Sequence, residues 1–126
     1  MKTRKKSAVL RTRRLAGRIL RFLIGAEDET LREFADTSKS GRAAKTLVKQ
    51  GPLRVTLVAL KRGTALPPHH VDGPVSIQVL RGYLELTTDK GAIPLPSGIL
   101  VTLEAGLTHA ATAVEDSAIL ITFAMT

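Results

Sequence analysis

The stretch GTALPPHHVDGPVSIQVLRG, residues 63–82, carries the clearest structural signal in this 126-residue chain. Its first half, residues 63–74, is rich in Pro and Gly and contains the adjacent pair His69 and His70, a composition typical of a long loop. Its second half alternates apolar and polar residues, which predicts a strand over 75–81 with one buried face. That face is predicted to consist of Val75, Ile77 and Val79, with Gln78 on the opposite side.

Outward from this stretch, apolar runs of similar length alternate with Gly, Pro and Asp. Short strands separated by such turn residues favour an antiparallel sandwich or barrel, so the expected fold is all-β. A short helix is expected over residues 28–36, because acidic residues precede an apolar pattern there. The predicted strands span 43–48, 53–61, 75–81, 83–88, 92–95, 98–103, 108–114 and 118–124. The chain has no Cys, which excludes disulfides and thiol catalysis.

Two glycine-framed segments resemble the two motifs of the cupin superfamily. The first is residues 63–82, quoted above, and the second is GILVTLEAGLTHAATA, residues 98–113. The resemblance covers about residues 43–126 and implies a double-stranded β-helix, the jelly-roll barrel of small single-domain cupins. The expected organisation is a basic helical extension over 1–41 followed by a cupin barrel over 42–126.

The chain departs from the cupin pattern at the positions that hold metal in metal-binding cupins. The first motif of metal-binding cupins has two histidine positions. One motif spacing places Pro68 at the first position and His70 at the second. The other spacing places His69 at the first position and Val71 at the second. Val75 stands at the carboxylate position, so the metal motifs are degenerate. Only His109, in the second motif, matches a metal-ligand position of the family pattern in both residue type and spacing.

All three histidines of the chain fall in or beside these motifs, so they are the candidate metal ligands. Adjacent residues in an extended segment point to opposite sides, so only one of His69 and His70 is expected to face the interior. One divalent ion is therefore a possible cofactor, and the sequence does not separate Zn, Ni, Fe and Mn. Asp72 or Glu104 would have to supply an oxygen ligand. The candidate ligand-binding residues are His69, His70, His109, Val75 and Val79.

The basic charge of the chain is concentrated at its beginning. Residues 1–24 carry nine Lys or Arg and no acid, whereas the remaining residues carry ten basic and all eleven acidic residues. Arginines at steps of three and four from Arg11 to Arg21 predict an amphipathic helix that ends at Gly25. Such an arm would dock on its own domain, contact an anionic surface or act in targeting. Its apolar run is too short to span a bilayer.

The sequence favours a small cupin-domain protein that binds a small molecule in the barrel mouth, and it does not decide whether the protein is an enzyme. One alternative is a metal-dependent cupin enzyme of the dioxygenase, isomerase or decarboxylase type. Another is an interaction protein that contacts an anionic surface through residues 1–24. We expect a cytoplasmic homodimer that pairs through sheet edges or an exchanged strand over residues 43–48, because open sheet edges need cover.

Overall fold

The computed structural model describes residues 14–125, which form one helix and nine strands. The helix is α1 (Ile24–Thr37). The strands are β1 (Arg42–Gln50), β2 (Leu53–Leu60), β3 (Ala65–His69), β4 (Val75–Arg81), β5 (Tyr83–Thr88), β6 (Gly91–Pro96), β7 (Leu100–Leu103), β8 (His109–Ala113) and β9 (Ser117–Ala124).

The strands form two antiparallel sheets that face each other, as the strand pattern predicts. One sheet has the order β1-β2-β9-β4-β7 and the other the order β3-β8-β5-β6. Apolar residues on their inner faces form the main core, including Val79, Leu84 and Ile119. The alternation along β4 is as predicted, because Val75, Ile77 and Val79 are buried and Gln78 is exposed.

A second, smaller core lies on the outer face of the five-stranded sheet. Leu31 and Ala35, one helical turn apart on α1, pack there against Leu47, Leu57 and Ala59. Strand β2 is therefore buried on both faces: Leu57 and Ala59 face the helix, whereas their neighbours Val58 and Leu60 face the barrel interior. This explains why β2 has a continuous apolar run rather than an alternating pattern.

The helix begins earlier than the sequence predicts, and the amphipathic arm helix is absent from residues 14–23. The Leu15 carbonyl accepts a hydrogen bond from Lys49 N–H at 2.8 Å, and Gly17 N–H donates to Gln50 Oε1 at 2.6 Å. These contacts with the end of β1 replace the hydrogen bonds that a helix would make within itself. Gly25 lies in the first turn of α1 and does not end a helix. The rest of the predicted arm helix lies outside the described residues.

The predicted loop over residues 63–74 contains a strand, β3, which the sequence analysis missed. Its hydrogen bonding to β8 is irregular between Leu66 and His69, where Pro67 and Pro68 lack the N–H groups that a regular ladder needs. β3 is an edge strand, the position in a sheet where Pro is tolerated. No helix within residues 14–125 has the length and apolar character needed to cross a membrane.

Candidate functional site

His69 and His109 face each other across the β3–β8 pair. They are register partners, and their ring centroids lie 4.3 Å apart with the ring planes tilted by 59°. Partners in adjacent strands project to the same side of a sheet, so both side chains lie on the face toward the cavity. His109 is buried there, whereas His69 is exposed and borders the cavity from its open side. The two motif segments therefore converge, as expected from their resemblance to cupin motifs.

A β-bulge decides which histidine of the adjacent pair faces inward. Leu66 pairs with Ala111 and His69 with His109, so three steps along β3 match two steps along β8. Simple alternation from the inward-facing Leu66 would turn His70 to the interior. The extra residue at the two prolines shifts the pattern by one, as bulges do, and brings His69 inward instead. His69 and His70 are both exposed, but His69 lines the cavity and His70 does not.

The two imidazoles border a cavity of about 280 Å³ inside the barrel. Its lining is mainly apolar, and the polar side chains in it are those of Thr56, His69 and His109. The apolar lining residues are Leu66, Val71, Val75, Ile77, Leu84, Leu86, Leu95, Ala111, Ile119, Ile121 and Phe123. No charged side chain lines this space, so its lining fits an apolar molecule with few polar groups better than a charged one.

The cavity occupies one end of the barrel, and side chains fill the other end. On β4, Val75 and Ile77 line the cavity, whereas Val79 is fully buried in the filled end. On β8, His109 and Ala111 line it, whereas Ala113 does not. Of the predicted ligand-binding residues, the structure thus brings His69, His109 and Val75 together at the cavity, and it places His70 and Val79 elsewhere.

Each of the two imidazoles is oriented by a carbonyl two residues earlier in its own strand segment. His69 Nδ1 lies 3.0 Å from the Pro67 carbonyl oxygen, and His109 Nδ1 lies 3.0 Å from that of Leu107. Because a carbonyl only accepts, Nδ1 is the donor in both contacts, which in the neutral form of the ring leaves Nε2 as an acceptor. Neither Nε2 has a hydrogen-bond partner within residues 14–125.

The free Nε2 of His109 is accessible even though the residue is only 5% exposed. Within residues 14–125, each side-chain nitrogen or oxygen atom that solvent cannot reach, in a buried or partly buried residue, has a hydrogen-bond partner. An atom without a partner, such as His109 Nε2, must therefore border accessible space. The same reasoning applies to the Thr56 hydroxyl, which makes no hydrogen bond to the described residues and faces the cavity.

The donor set does not fit a divalent metal ion of the kind implied by the cupin resemblance. Such ions take three or four protein ligands, and the cavity offers two imidazole nitrogens. Val75 occupies the carboxylate position, and Asp72 and Glu104 are exposed and do not line the cavity. Within residues 14–125, no three His, Asp or Glu side chains are grouped so that they could hold a metal ion.

Several cavity residues were not identified from the sequence. Thr56, on β2, belongs to the inward set that includes Val58 and Leu60, but the continuous apolar run of that strand hides the alternation. Ile121 and Phe123 lie on β9, which has apolar residues on both faces and Thr122 as its one polar residue after Ser117. Alternation along β9 would have placed Ile119, Ile121 and Phe123 on one face, which was the available signal.

Structural comparison finds similar barrels in known proteins. A conserved protein of unknown function from Streptococcus pyogenes is 26% identical, with a TM-score of 0.65 over 71% of this chain and 78% of that one. An RmlC-like cupin protein from Desulfovibrio desulfuricans is 27% identical, with a TM-score of 0.61 over 66% of this chain and 81% of that one.

A variant of salicylate 1,2-dioxygenase from Pseudoaminobacter salicylatoxidans shares the fold at 16% identity, with a TM-score of 0.69. The match covers 82% of this chain and 34% of the dioxygenase. No protein-family model matches the sequence, and a search of curated proteins gives no match.

Proposed function

This chain contains a cupin-superfamily domain, and from that premise we propose that its barrel binds a small, mainly apolar molecule that carries a hydrogen-bond donor. The observation that carries the proposal is the pair of imidazoles, with ring centroids 4.3 Å apart, at a cavity whose other lining side chains are apolar except for Thr56. The apolar lining supplies affinity, and the free Nε2 atoms select for a hydroxyl or amine donor.

The size of the cavity restricts the ligand. At about 280 Å³ it lies just below the range of about 300–1,000 Å³ that is typical of ligand pockets. A molecule with one ring or a short branched chain fits this volume. A charged group would have to lose its hydration in a lining without charged side chains, which is costly, so the ligand is uncharged in the part that enters the barrel.

The metal-dependent alternative receives less support from this site. It needs at least one further ligand, and the structure leaves Val75 where the carboxylate would stand. The resemblance to a dioxygenase rests on the fold alone at 16% identity. We therefore propose binding and assign no reaction step to the histidines.

The test compares phenol and benzyl alcohol with toluene as ligands, measured by the shift in melting temperature. We expect the two hydroxyl compounds to raise the melting temperature more than toluene does, because each donates to a free Nε2. In His69→Ala this preference should weaken, because one of the two acceptors is lost while that of His109 remains. A tenfold loss of affinity corresponds to about 1.4 kcal/mol, within the range for one lost hydrogen bond.

His70→Ala is the matched control, because His70 is the neighbouring histidine and lies outside the cavity. It should retain the preference for hydroxyl compounds. Equal loss of binding in both variants, or no shift with any of the three compounds, contradicts the proposed site.

We also propose that the protein forms a homodimer through the outer edge of β1, which within residues 14–125 is free except near its end at Lys49. β3 and β6 are edge strands that contain prolines, and the edge strand β7 has only four residues. β1 has nine residues, and in residues 14–125 its edge is contacted at Lys49 by the Leu15 carbonyl. Sedimentation equilibrium at micromolar concentration should give the mass of two chains; a single-chain mass contradicts the proposal.

A further inference from the structure

The segment of residues 14–23, called the arm below, presents a surface that the proposed binding site does not use. Ile19 is 87% exposed and Leu23 is 80% exposed, the two highest values among the exposed large apolar side chains of the described chain. Arg14, Arg18 and Arg21 are exposed in the same segment. Exposed apolar side chains next to basic ones typify a surface that binds a partner.

The arm is held on the barrel and is not free to bury these two side chains. Its beginning is attached to the end of β1 by the Leu15 and Gly17 backbone hydrogen bonds. Its end is attached by Phe22, which packs against the small core beneath α1. Between these attachment points, Arg18, Ile19 and Arg21 are exposed, Arg14 is exposed just before Leu15, and Leu23 is exposed just after Phe22.

The charge of the surrounding sequence indicates an anionic partner. The first 24 positions contain nine basic residues and no acidic residue, whereas the net charge of the rest of the chain is close to zero. Basic clusters of this size attract the anionic face of a bilayer or the phosphates of a nucleic acid.

The two exposed aliphatic side chains favour a lipid surface over a nucleic acid. Single-stranded nucleic acids are bound largely by aromatic stacking, and this chain has no Trp, one Tyr and three Phe, of which Phe22 is packed against the small core. Aliphatic side chains gain most by leaving water for the interfacial region of a membrane. Neighbouring arginines can then keep their charge at the level of the lipid phosphates.

We propose that the arm docks the protein on an anionic lipid bilayer, with Ile19 and Leu23 entering the interface and Arg14, Arg18 and Arg21 contacting lipid phosphates. The surface is peripheral to the barrel cavity, so membrane docking does not require the ligand site. The binding is reversible, because two aliphatic side chains are far less apolar surface than a membrane-spanning segment.

The test is co-sedimentation of the full chain with vesicles of phosphatidylcholine, with or without about 30% phosphatidylserine. We expect binding to the anionic vesicles, and weaker binding when salt rises from about 0.1 M to about 1 M, which shortens the Debye length from about 10 Å to about 3 Å. Replacing Arg14, Arg18 and Arg21 together with Gln should lower the partition coefficient about 100-fold, because each basic residue contributes about a factor of five.

The double variant Ile19→Ser with Leu23→Ser should lower the partition coefficient by at least tenfold with all the charges kept. Leu100→Ser is its control, because Leu100 is 60% exposed and lies on β7, away from the arm. The exposed residues Lys39, Arg62 and Lys90, replaced together with Gln, form the control for charge. Both controls should bind like the original chain.

Four results would overturn the proposal. The first is equal binding to neutral and anionic vesicles or no binding to either. The second is binding to duplex DNA without binding to anionic vesicles. The third is unchanged vesicle binding in the Ile19 and Leu23 double variant. A change in the oligomeric state of this variant without lipid would also overturn the proposal, because it would assign the two apolar side chains to a contact between two copies of the chain.

Discussion

At the scale of single residues, Gly73 shows how closely the barrel mouth is packed. A Cβ atom built on Gly73 would lie 1.6 Å from the carbonyl oxygen of Ala124, far inside contact distance. The backbone at Gly73 is buried, and the loop between β3 and β4 passes directly over the end of β9 at this point. The glycine is therefore required by the space available and not by its backbone angles.

We expect Gly73→Ala to destabilise the fold by more than about 2 kcal/mol, because backbone atoms on both sides must move. Urea unfolding measures the change. Gly25→Ala is the matched control: apart from its chain neighbours and the backbone of its own helix, no atom lies within 4 Å of the added Cβ, and Gly25 is in a helix, where Ala is favoured by up to about 1 kcal/mol. A Gly73→Ala protein as stable as the original would contradict the close approach seen here.

The β-bulge at Pro67 and Pro68 explains why the sequence alone did not identify which histidine borders the cavity. Strict alternation along residues 65–70 points to His70, and the bulge at Pro67 and Pro68 reverses the choice. A bulge belongs to the pairing of two strands that are far apart in sequence. Its position therefore cannot be derived from the residues of one strand alone.

At the scale of elements, α1 is attached to the five-stranded sheet by an ion pair as well as by apolar packing. Arg81, at the end of β4, donates from Nε to Asp28 Oδ2 at 2.7 Å and from Nη2 to Asp28 Oδ1 at 3.1 Å. This two-point contact is partly buried, with side-chain exposures of 24% and 13%. Paired geometry of this kind is stronger than a single exposed contact.

We expect a double-mutant cycle of Asp28→Ala and Arg81→Ala to give a coupling energy of about 1–2 kcal/mol. The Lys61–Asp36 pair is the matched comparison, because it also joins α1 to the barrel but is more exposed and longer, at 3.4 Å. Its coupling energy should be below about 0.5 kcal/mol. Chemical denaturation of the single and double variants provides both values, and equal couplings would contradict the difference in burial.

At the scale of the whole molecule, the barrel combines one filled end and one hollow end. Ala111 and Ala113 lie two residues apart on the same face of β8, and only Ala111 borders the cavity. Replacing each of these alanines with Val therefore tests which end of the barrel has space for a larger side chain.

We expect Ala111→Val to raise stability by about 0.5–1 kcal/mol, because the added methyl groups enter the cavity. It should also weaken ligand binding. Ala113→Val, in the filled end, should lower stability by about 1–3 kcal/mol through overpacking. Thermal unfolding with and without phenol measures both effects. A destabilised Ala111→Val protein with unchanged phenol binding would contradict the location of the cavity.

The sequence alone determined the barrel class, eight of the nine strands in residues 14–125, the position of the main helix and the inward face of β4. These features follow from local alternation, turn residues and the spacing of two glycine-framed segments. The tertiary structure decided that β3 exists, that Leu15 and Gly17 bond to the end of β1 in a segment that forms no helix, and that His69 pairs with His109. These depend on hydrogen bonds between segments more than 30 residues apart, and no local pattern fixes such partners.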